Sequence, residues 1–164
     1  MRRVLAVLVL SIAALGVSGT AHAAPGAVVV KGVQAPAPDC TDPQIPGLPF
    51  GMTGGLLGCW YITDFVEEGS HPSGTASFSG AELFVGCIDL DGNSACSGNE
   101  NGTFRTTFTF TAKFATTDPF AELFGRCHHP IVSGEGVFAN ARGEISFHDN
   151  VADGTADYSG PILL

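Results

Sequence analysis

The segment Asn101–Phe114 constrains the fold more than any other part of this chain. Its odd positions carry threonines and two cationic side chains, whereas its even positions are mostly apolar: Phe104, Thr106, Phe108, Phe110, Ala112 and Phe114. Side chains alternate between the two faces of a β-strand, while a helix would scatter these phenylalanines around its circumference. A strand of this length spans roughly 40 Å. That length favours a strongly coiled sheet or a closed barrel over a flat sheet.

The N-terminus has the pattern of an export signal. Arg2 and Arg3 precede a mostly apolar run, Val4–Val17, and Ala21–Ala23 has the small-x-small spacing of a cleavage site. We therefore predict a signal peptide over residues 1–23, a secreted protein, and no membrane insertion after cleavage. The chain has a formal net charge of −9, and the predicted leader removes two of its basic residues. Such acidity argues against nucleic acid and anionic membranes as partners.

The remainder is predicted to form an arm and one domain. Residues 24–56 are rich in Pro, Gly and Ala, which predicts an extended arm with at most an edge strand at Val28–Val30. Residues 57–164 alternate apolar and polar positions between turn signals, which predicts an all-β domain without long helices. In the strand Thr75–Leu90, apolar residues change parity midway. A bulge at Ser79–Gly80 would direct Leu83 and Val85 inward with the earlier apolar residues.

The five cysteines suggest disulfides, because exported proteins fold in oxidising surroundings. An odd number leaves one thiol over, and many pairings are open. We favour Cys87–Cys96, since both flank one polar turn. We also expect Cys59–Cys127 to join two strands, with Cys40 left free in the arm. The sequence contains no Cys-x-x-Cys pair, the spacing that would suggest a zinc site.

A glycine-rich run late in the chain carries a family resemblance. Gly134, Gly136, Phe138, Ala141 and Gly143 match a Gly-Gly-Thr/Ser-Gly-x-Phe-x-x-Ala-x-Gly motif, with Ser133 in place of its first glycine. The run resembles that of the allene oxide cyclase and dirigent barrel superfamily, and especially its uncharacterised secreted bacterial members. The resemblance implies a closed, antiparallel, eight-stranded barrel with a central cavity. The catalytic acid, base and tyrosine of the plant enzymes have no counterparts here, so their activity is not carried over.

A cluster of polar residues lies in the predicted strand Ala121–Ile131. Glu122, Phe124, Arg126 and His128 share one parity. If this face lines the lumen, Glu122, Arg126 and His128 supply an acid, a cation and an imidazole for catalysis. We expect it to face outward instead, as a polar outer wall. An apolar ligand in the lumen would contact aromatic side chains, for which the candidates are Trp60, Phe108, Phe110 and Phe124.

The loop Asp89–Glu100 resembles a calcium loop. Asp89, Asp91, Asn93 and Glu100 occupy ligand positions of the twelve-residue pattern, although Ser94 stands where that pattern has glycine. Asp-x-Asp-Gly-Asn is also an ordinary turn, and we favour a disulfide-closed turn.

Three functional classes follow from these patterns. We favour a non-enzymatic secreted barrel that binds a small apolar molecule or has a passive extracellular role. The alternatives are a cyclase- or isomerase-like enzyme acting in the lumen and a calcium-stabilised interaction module. No motif for a cofactor, a serine nucleophile or a phosphate loop is present, and we predict no cofactor.

Overall fold

The protein folds as a closed β-barrel in the computed structural model, which describes residues 26–164. Each strand pairs antiparallel with the next, and the last pairs with the first. The strands are β1 (Val28–Pro36), β2 (Leu48–Gly54), β3 (Leu56–Ser70), β4 (Thr75–Ile88), β5 (Asn101–Ala115), β6 (Asp118–Gly136), β7 (Arg142–Asn150) and β8 (Thr155–Leu163). This confirms the predicted eight-stranded antiparallel barrel. The predicted signal peptide lies outside the described residues. Within them, no helix is long and apolar enough to cross a membrane.

Strand β5 has the two faces that its sequence predicts. Phe104, Thr106 and Phe108 are almost fully buried, and Ala112 is fully buried. The odd positions Arg105, Thr107, Thr109 and Thr111 are exposed. The period-2 pattern therefore fixes which side of this strand faces the interior.

The predicted N-terminal arm is instead part of the barrel. β1 pairs with β2 on one side and β8 on the other, so the domain boundary at residue 57 is wrong. The glycines that suggested a linker serve close contacts between strands. A Cβ atom at Gly32 would overlap the Thr53 carbonyl oxygen and the Tyr158 hydroxyl. Glycine here allows a tight approach of backbones, not flexibility.

Strand β4 keeps one phase along its whole length, which corrects the expected bulge at Ser79–Gly80. Its pairing with β5 is continuous from Thr75 to Cys87. The irregularities lie in the partner strand, where the β3–β4 register shifts between Ile62 and Asp64 and again between Glu67 and Gly69. Every even position of β4 therefore faces the interior, and the interior set includes the buried residue Glu82.

One predicted disulfide is confirmed and the other is wrong. Cys87 is bonded to Cys96, and Cys59 is bonded to Cys40. Trp60 faces the core, so its neighbour Cys59 faces outward, where the segment after β1 brings Cys40 onto the outer wall. Cys127 is left as the free thiol. Two disulfides are consistent with an extracellular protein.

The interior is filled at one end of the barrel. Trp60, Phe84, Phe104 and Phe138 are fully buried there, together with aliphatic residues from six strands. Phe138 comes from the β6–β7 connection, and its ring packs edge-on against Phe84 and Phe104 at centroid distances of 5.8 and 4.9 Å. The glycine-rich run Gly134–Gly143 thus supplies the plug of this end. The opposite end, near the β7–β8 turn, remains open.

Candidate functional site

A cavity of about 350 Å³ occupies the open end of the barrel. Five phenylalanines line its walls: Phe50, Phe65, Phe108, Phe110 and Phe147. Four ionisable side chains and one thiol also line it: Glu82, Glu122, His129, Asp149 and Cys127. Because these groups come from β4, β6 and β7, barrel closure is what brings them together.

The innermost polar group is the pair Glu82–His129. Both residues are 3% exposed. His129 Nδ1 contacts Glu82 Oε2, and the Thr106 hydroxyl donates a hydrogen bond of 2.9 Å to the same carboxylate oxygen. These residues are inward positions of three consecutive strands, β4, β5 and β6. A carboxylate buried this deeply requires such partners, since an unpaired buried charge is strongly unfavourable.

The other ring nitrogen of His129 is unsatisfied. Its ring packs against Phe147 at 4.4 Å and edge-on against Trp60 at 5.5 Å. Nε2 is buried and has no hydrogen-bond partner among the described residues. With Glu82 ionised, Nδ1 carries the proton of their contact, and Nε2 of a neutral ring is then an acceptor. Most buried polar atoms in proteins are hydrogen-bonded, so this one needs an explanation.

A pair of carboxylate side chains lies closer to the opening. Glu122 of β6 and Asp149 of β7 both approach Gly125, where a Cβ atom would overlap the two carboxylates and the Phe110 ring. Glu122 Oε1 is buried and also lacks a partner within the described chain. Burial, reinforced by the adjacent Asp149 carboxylate, raises the pKa of Glu122 to about 7. Glu122 therefore exchanges its proton near neutral pH.

Cys127 does not act as a nucleophile in this setting. Burial is the main cause of a strongly raised pKa for its thiol, with the Glu82 and Asp149 carboxylates adding to the effect. The thiolate, which is the reactive form, is thus suppressed at physiological pH.

The predicted catalytic residues are separated by the barrel wall. Arg126 and His128 lie on the outer face, where His128 Nδ1 is 2.9 Å from Glu144 Oε1 and both side chains are about half exposed. Glu122 shares their parity but lies inside. The β5–β6 register shifts between Lys113 and Phe114, and this shift turns Glu122 inward. The outward arrangement therefore holds for Arg126 and His128 and not for Glu122.

The aromatic ligand candidates also divide. Phe108 and Phe110 line the cavity. Trp60 is fully buried below it in the filled end, and Phe124 is 50% exposed on the outer wall. Of the four, only the two β5 phenylalanines are placed to contact a ligand in the cavity directly.

The Asp89–Glu100 loop is built as a turn. Asp89 accepts hydrogen bonds from the backbone N–H groups of Gly92, Asn93 and Ser94, and Asp91 accepts one from Asn93. Glu100 accepts from the Ser97 N–H. Across residues 26–164, no group of three or more His, Cys, Asp or Glu side chains could hold a metal ion. The calcium hypothesis thus gains no support from the geometry.

Sequence reasoning missed Glu82, His129 and Asp149. The signal was present, because Glu82 has the parity of Phe78 and Phe84, and Asp149 has the parity of Phe147. Period-2 alternation counted from these phenylalanines places Glu82 and Asp149 in the lumen. A charged residue on an apolar face contradicts simple burial rules unless a partner on another strand meets it.

The chain matches no protein-family model, no curated protein and no solved structure. Functional inference therefore rests on the cavity itself.

We predict that Glu82 and His129 are coupled in stability. Replacing one member, in Glu82→Leu or His129→Leu, leaves the other buried without its partner and should lower the free energy of unfolding by about 3 kcal/mol. The double variant should lose less than either single variant. Urea denaturation measures all four proteins. The exposed pair His128–Glu144 is the matched control, and its Gln variants should each cost less than about 1 kcal/mol. Additive losses at Glu82 and His129 would contradict the coupling.

We also predict a pH dependence that originates at Glu122. The folded protein retains this proton up to about pH 7, whereas the carboxyl has an ordinary pKa of 4.5. Between these values the folded state binds more protons than the unfolded chain, so stability falls as pH rises. In Glu122→Gln this contribution is absent. The Tm difference between variant and wild type should therefore grow in favour of the variant from pH 5 to pH 8. Parallel Tm curves, as expected for the exposed-site control Glu135→Gln, would refute the assignment.

Proposed function

We propose that this protein is secreted and binds a small, largely apolar molecule inside the open end of the barrel. The observation that carries the proposal is the His129 imidazole, which lines an aromatic cavity while its Nε2 has no hydrogen-bond partner. A ligand with one polar group would satisfy that atom and cover the phenylalanine walls. The volume falls at the lower end of the range of roughly 300–1,000 Å³ that is typical of small-molecule sites.

The architecture supports a binding site rather than a channel. The filled end, packed around Phe138, bounds the cavity on one side. Phe65 at the rim is 52% exposed, and its ring stacks on Phe78 at 5.0 Å. A ligand that enters from this side meets aromatic surface first and the Glu82–His129 pair last.

Secretion is supported by two independent features. The N-terminal sequence has the charge, apolar run and small residues of a cleavable leader. The disulfides Cys40–Cys59 and Cys87–Cys96 are bonds that persist in oxidising compartments.

We also propose kinship with the allene oxide cyclase and dirigent barrels. The closed eight-stranded barrel is the architecture that the Gly134–Gly143 motif implies. The buried position of Phe138, packed on two core rings, gives that motif a physical role. Fold kinship leaves the chemistry open, since one fold hosts many functions.

Three one-ring probes test the proposed site: neutral 2-phenylethanol, cationic 2-phenylethylamine and anionic 3-phenylpropanoate. We expect at least one to bind with 1:1 stoichiometry in calorimetry and to change the fluorescence of Trp60, which is the chain's single tryptophan and packs against His129. Val151 lines the opening and is 43% exposed, so Val151→Trp should obstruct entry at little cost in folding and weaken binding, measured by calorimetry, at least about tenfold.

The matched control places the same bulky residue elsewhere. Val132 is 59% exposed on β6 and does not line the cavity, so Val132→Trp should bind as wild type does. Failure of all three probes at millimolar concentration would refute lumen binding. So would equal affinity of wild type and Val151→Trp.

The second candidate function is an isomerase-like enzyme. The observation that favours it is the presence of a carboxyl group with a pKa near 7, Glu122, and an imidazole, His129, in one apolar cavity. These are an acid and a base suited to moving a proton at neutral pH. Of the three residues predicted to be catalytic, Glu122 alone remains in position for such a role.

A proton-exchange assay distinguishes an isomerase-like enzyme from a protein that only binds a ligand. With phenylacetone in D₂O, a base in the cavity would remove a proton from the carbon beside the carbonyl, and the resulting enol would take up a deuteron at that carbon. We expect the enzyme to accelerate deuterium incorporation, followed by NMR, and Glu122→Gln to reduce the rate at least about tenfold. Glu135→Gln should not change it. A rate equal to that of buffer alone would contradict the enzyme hypothesis and leave ligand binding as the proposed function.

A further inference from the structure

The charges around the cavity specify the class of ligand more narrowly than its apolar walls do. Glu82, Glu122 and Asp149 are acidic, and the residues described around the cavity include no Lys or Arg. Even with His129 protonated and one proton shared between Glu122 and Asp149, the cavity keeps a net negative charge. Inside the barrel, water screens that charge less than it screens charges on the outer surface.

Both unsatisfied atoms on residues that line the cavity are acceptors, whereas the third buried atom without a partner, the Trp60 Nε1 donor, belongs to a residue outside the lining. Glu122 Oε1 is an acceptor when the carboxyl is ionised, and His129 Nε2 is an acceptor in the neutral ring that donates from Nδ1 to Glu82. The His129 side chain is only 4% exposed, so its partner must come from within the cavity or from a rearranged wall. Two buried acceptors without donors call for a ligand that brings N–H groups.

We propose that the cavity binds an organic cation, a protonated amine carried on an apolar body. This inference rests on the proposed lumen-binding function and names its ligand class. The ammonium group donates to Glu122 Oε1, and the apolar body lies against Phe108 and Phe110. Glu122 Oε1 is closed to solvent, so binding includes a small displacement of the cavity wall.

Aromatic rings reinforce the preference for a cation. Phe65, Phe108, Phe110 and Phe147 surround the cavity, and the face of an aromatic ring attracts a positive charge. The raised pKa of Glu122 arises in part from the negative charge on Asp149, which would also attract an ammonium group. An anionic ligand meets repulsion from the same groups, and a neutral alcohol satisfies the acceptors without gaining from the charge.

The acidic outer surface is not what selects this ligand. Glu135, for example, is exposed and lies outside the cavity lining. Exposed charges are screened within about 8 Å at physiological ionic strength. A preference that originates in the cavity therefore depends on the inward carboxylates and not on overall net charge.

The ranking of the three probes tests the inference separately from the proposed function. We expect 2-phenylethylamine to bind at least about tenfold more tightly than 2-phenylethanol, and 3-phenylpropanoate to bind most weakly. If the alcohol binds as tightly as the amine, or the carboxylate binds most tightly, lumen binding stands and the cation preference is wrong. Absence of binding by all three overturns both.

Two variants, each lacking one negative charge, show which part of the protein causes the preference for a cation. Glu122→Gln should weaken binding of the amine about tenfold and weaken binding of the alcohol by a smaller factor. Glu135→Gln removes the same charge from the surface and should affect neither probe. If both variants weaken amine binding equally, the selectivity comes from surface charge, and the proposal fails. Circular dichroism and Tm measurements establish that each variant is folded before titration.

Discussion

The pairing of β1 with β8 is the interaction on which the rest of the structure depends. It joins Val28–Gln34 to Ala156–Ile162 and leaves no unpaired edge in the barrel. Tyr158 secures the closure from inside, because its hydroxyl donates to the Thr53 carbonyl at 3.0 Å and accepts from the Leu56 N–H at 2.8 Å. Burial raises the pKa of Tyr158 to about 12, so the hydroxyl remains a donor at physiological pH.

The closed barrel has two interior regions, a packed apolar core and a cavity lined by polar groups. The filled end excludes water by packing rings and aliphatic side chains, and it accounts for stability through buried apolar surface. The Glu82–His129 pair lies above that core, where Trp60 contacts the imidazole edge-on. Replacing both members of a buried hydrogen-bonded pair with apolar side chains can be neutral or stabilising, so the pair is weak evidence for a role in stability. Its position at the base of the cavity points to a role toward a ligand.

Alternation along single strands could be predicted from the sequence, but the exceptions to it could not. β5 alternates without interruption, so its inward face was evident. In β4 the apolar residues Leu83 and Val85 suggested a bulge that would bring them inside. The strand instead keeps its phase, exposes part of both residues and buries Glu82. A buried carboxylate is acceptable only because Thr106 and His129 meet it from β5 and β6, and contacts between strands cannot be deduced from one strand alone.

For Glu122, alternation predicts an outward side chain, but the structure turns it inward. The reason shows how the site is assembled. The parity of Glu122 groups it with Arg126 and His128, yet one extra residue between paired positions, Leu123, reverses the phase of β6 at the open end. Bulges commonly redirect side chains beside functional sites. Without this shift Glu122 would face solvent and its carboxyl would titrate as an ordinary acid. With it, Glu122 joins Asp149 across Gly125, where no side chain intervenes. A local irregularity in pairing thus converts a surface acid into a cavity group that exchanges its proton near neutral pH.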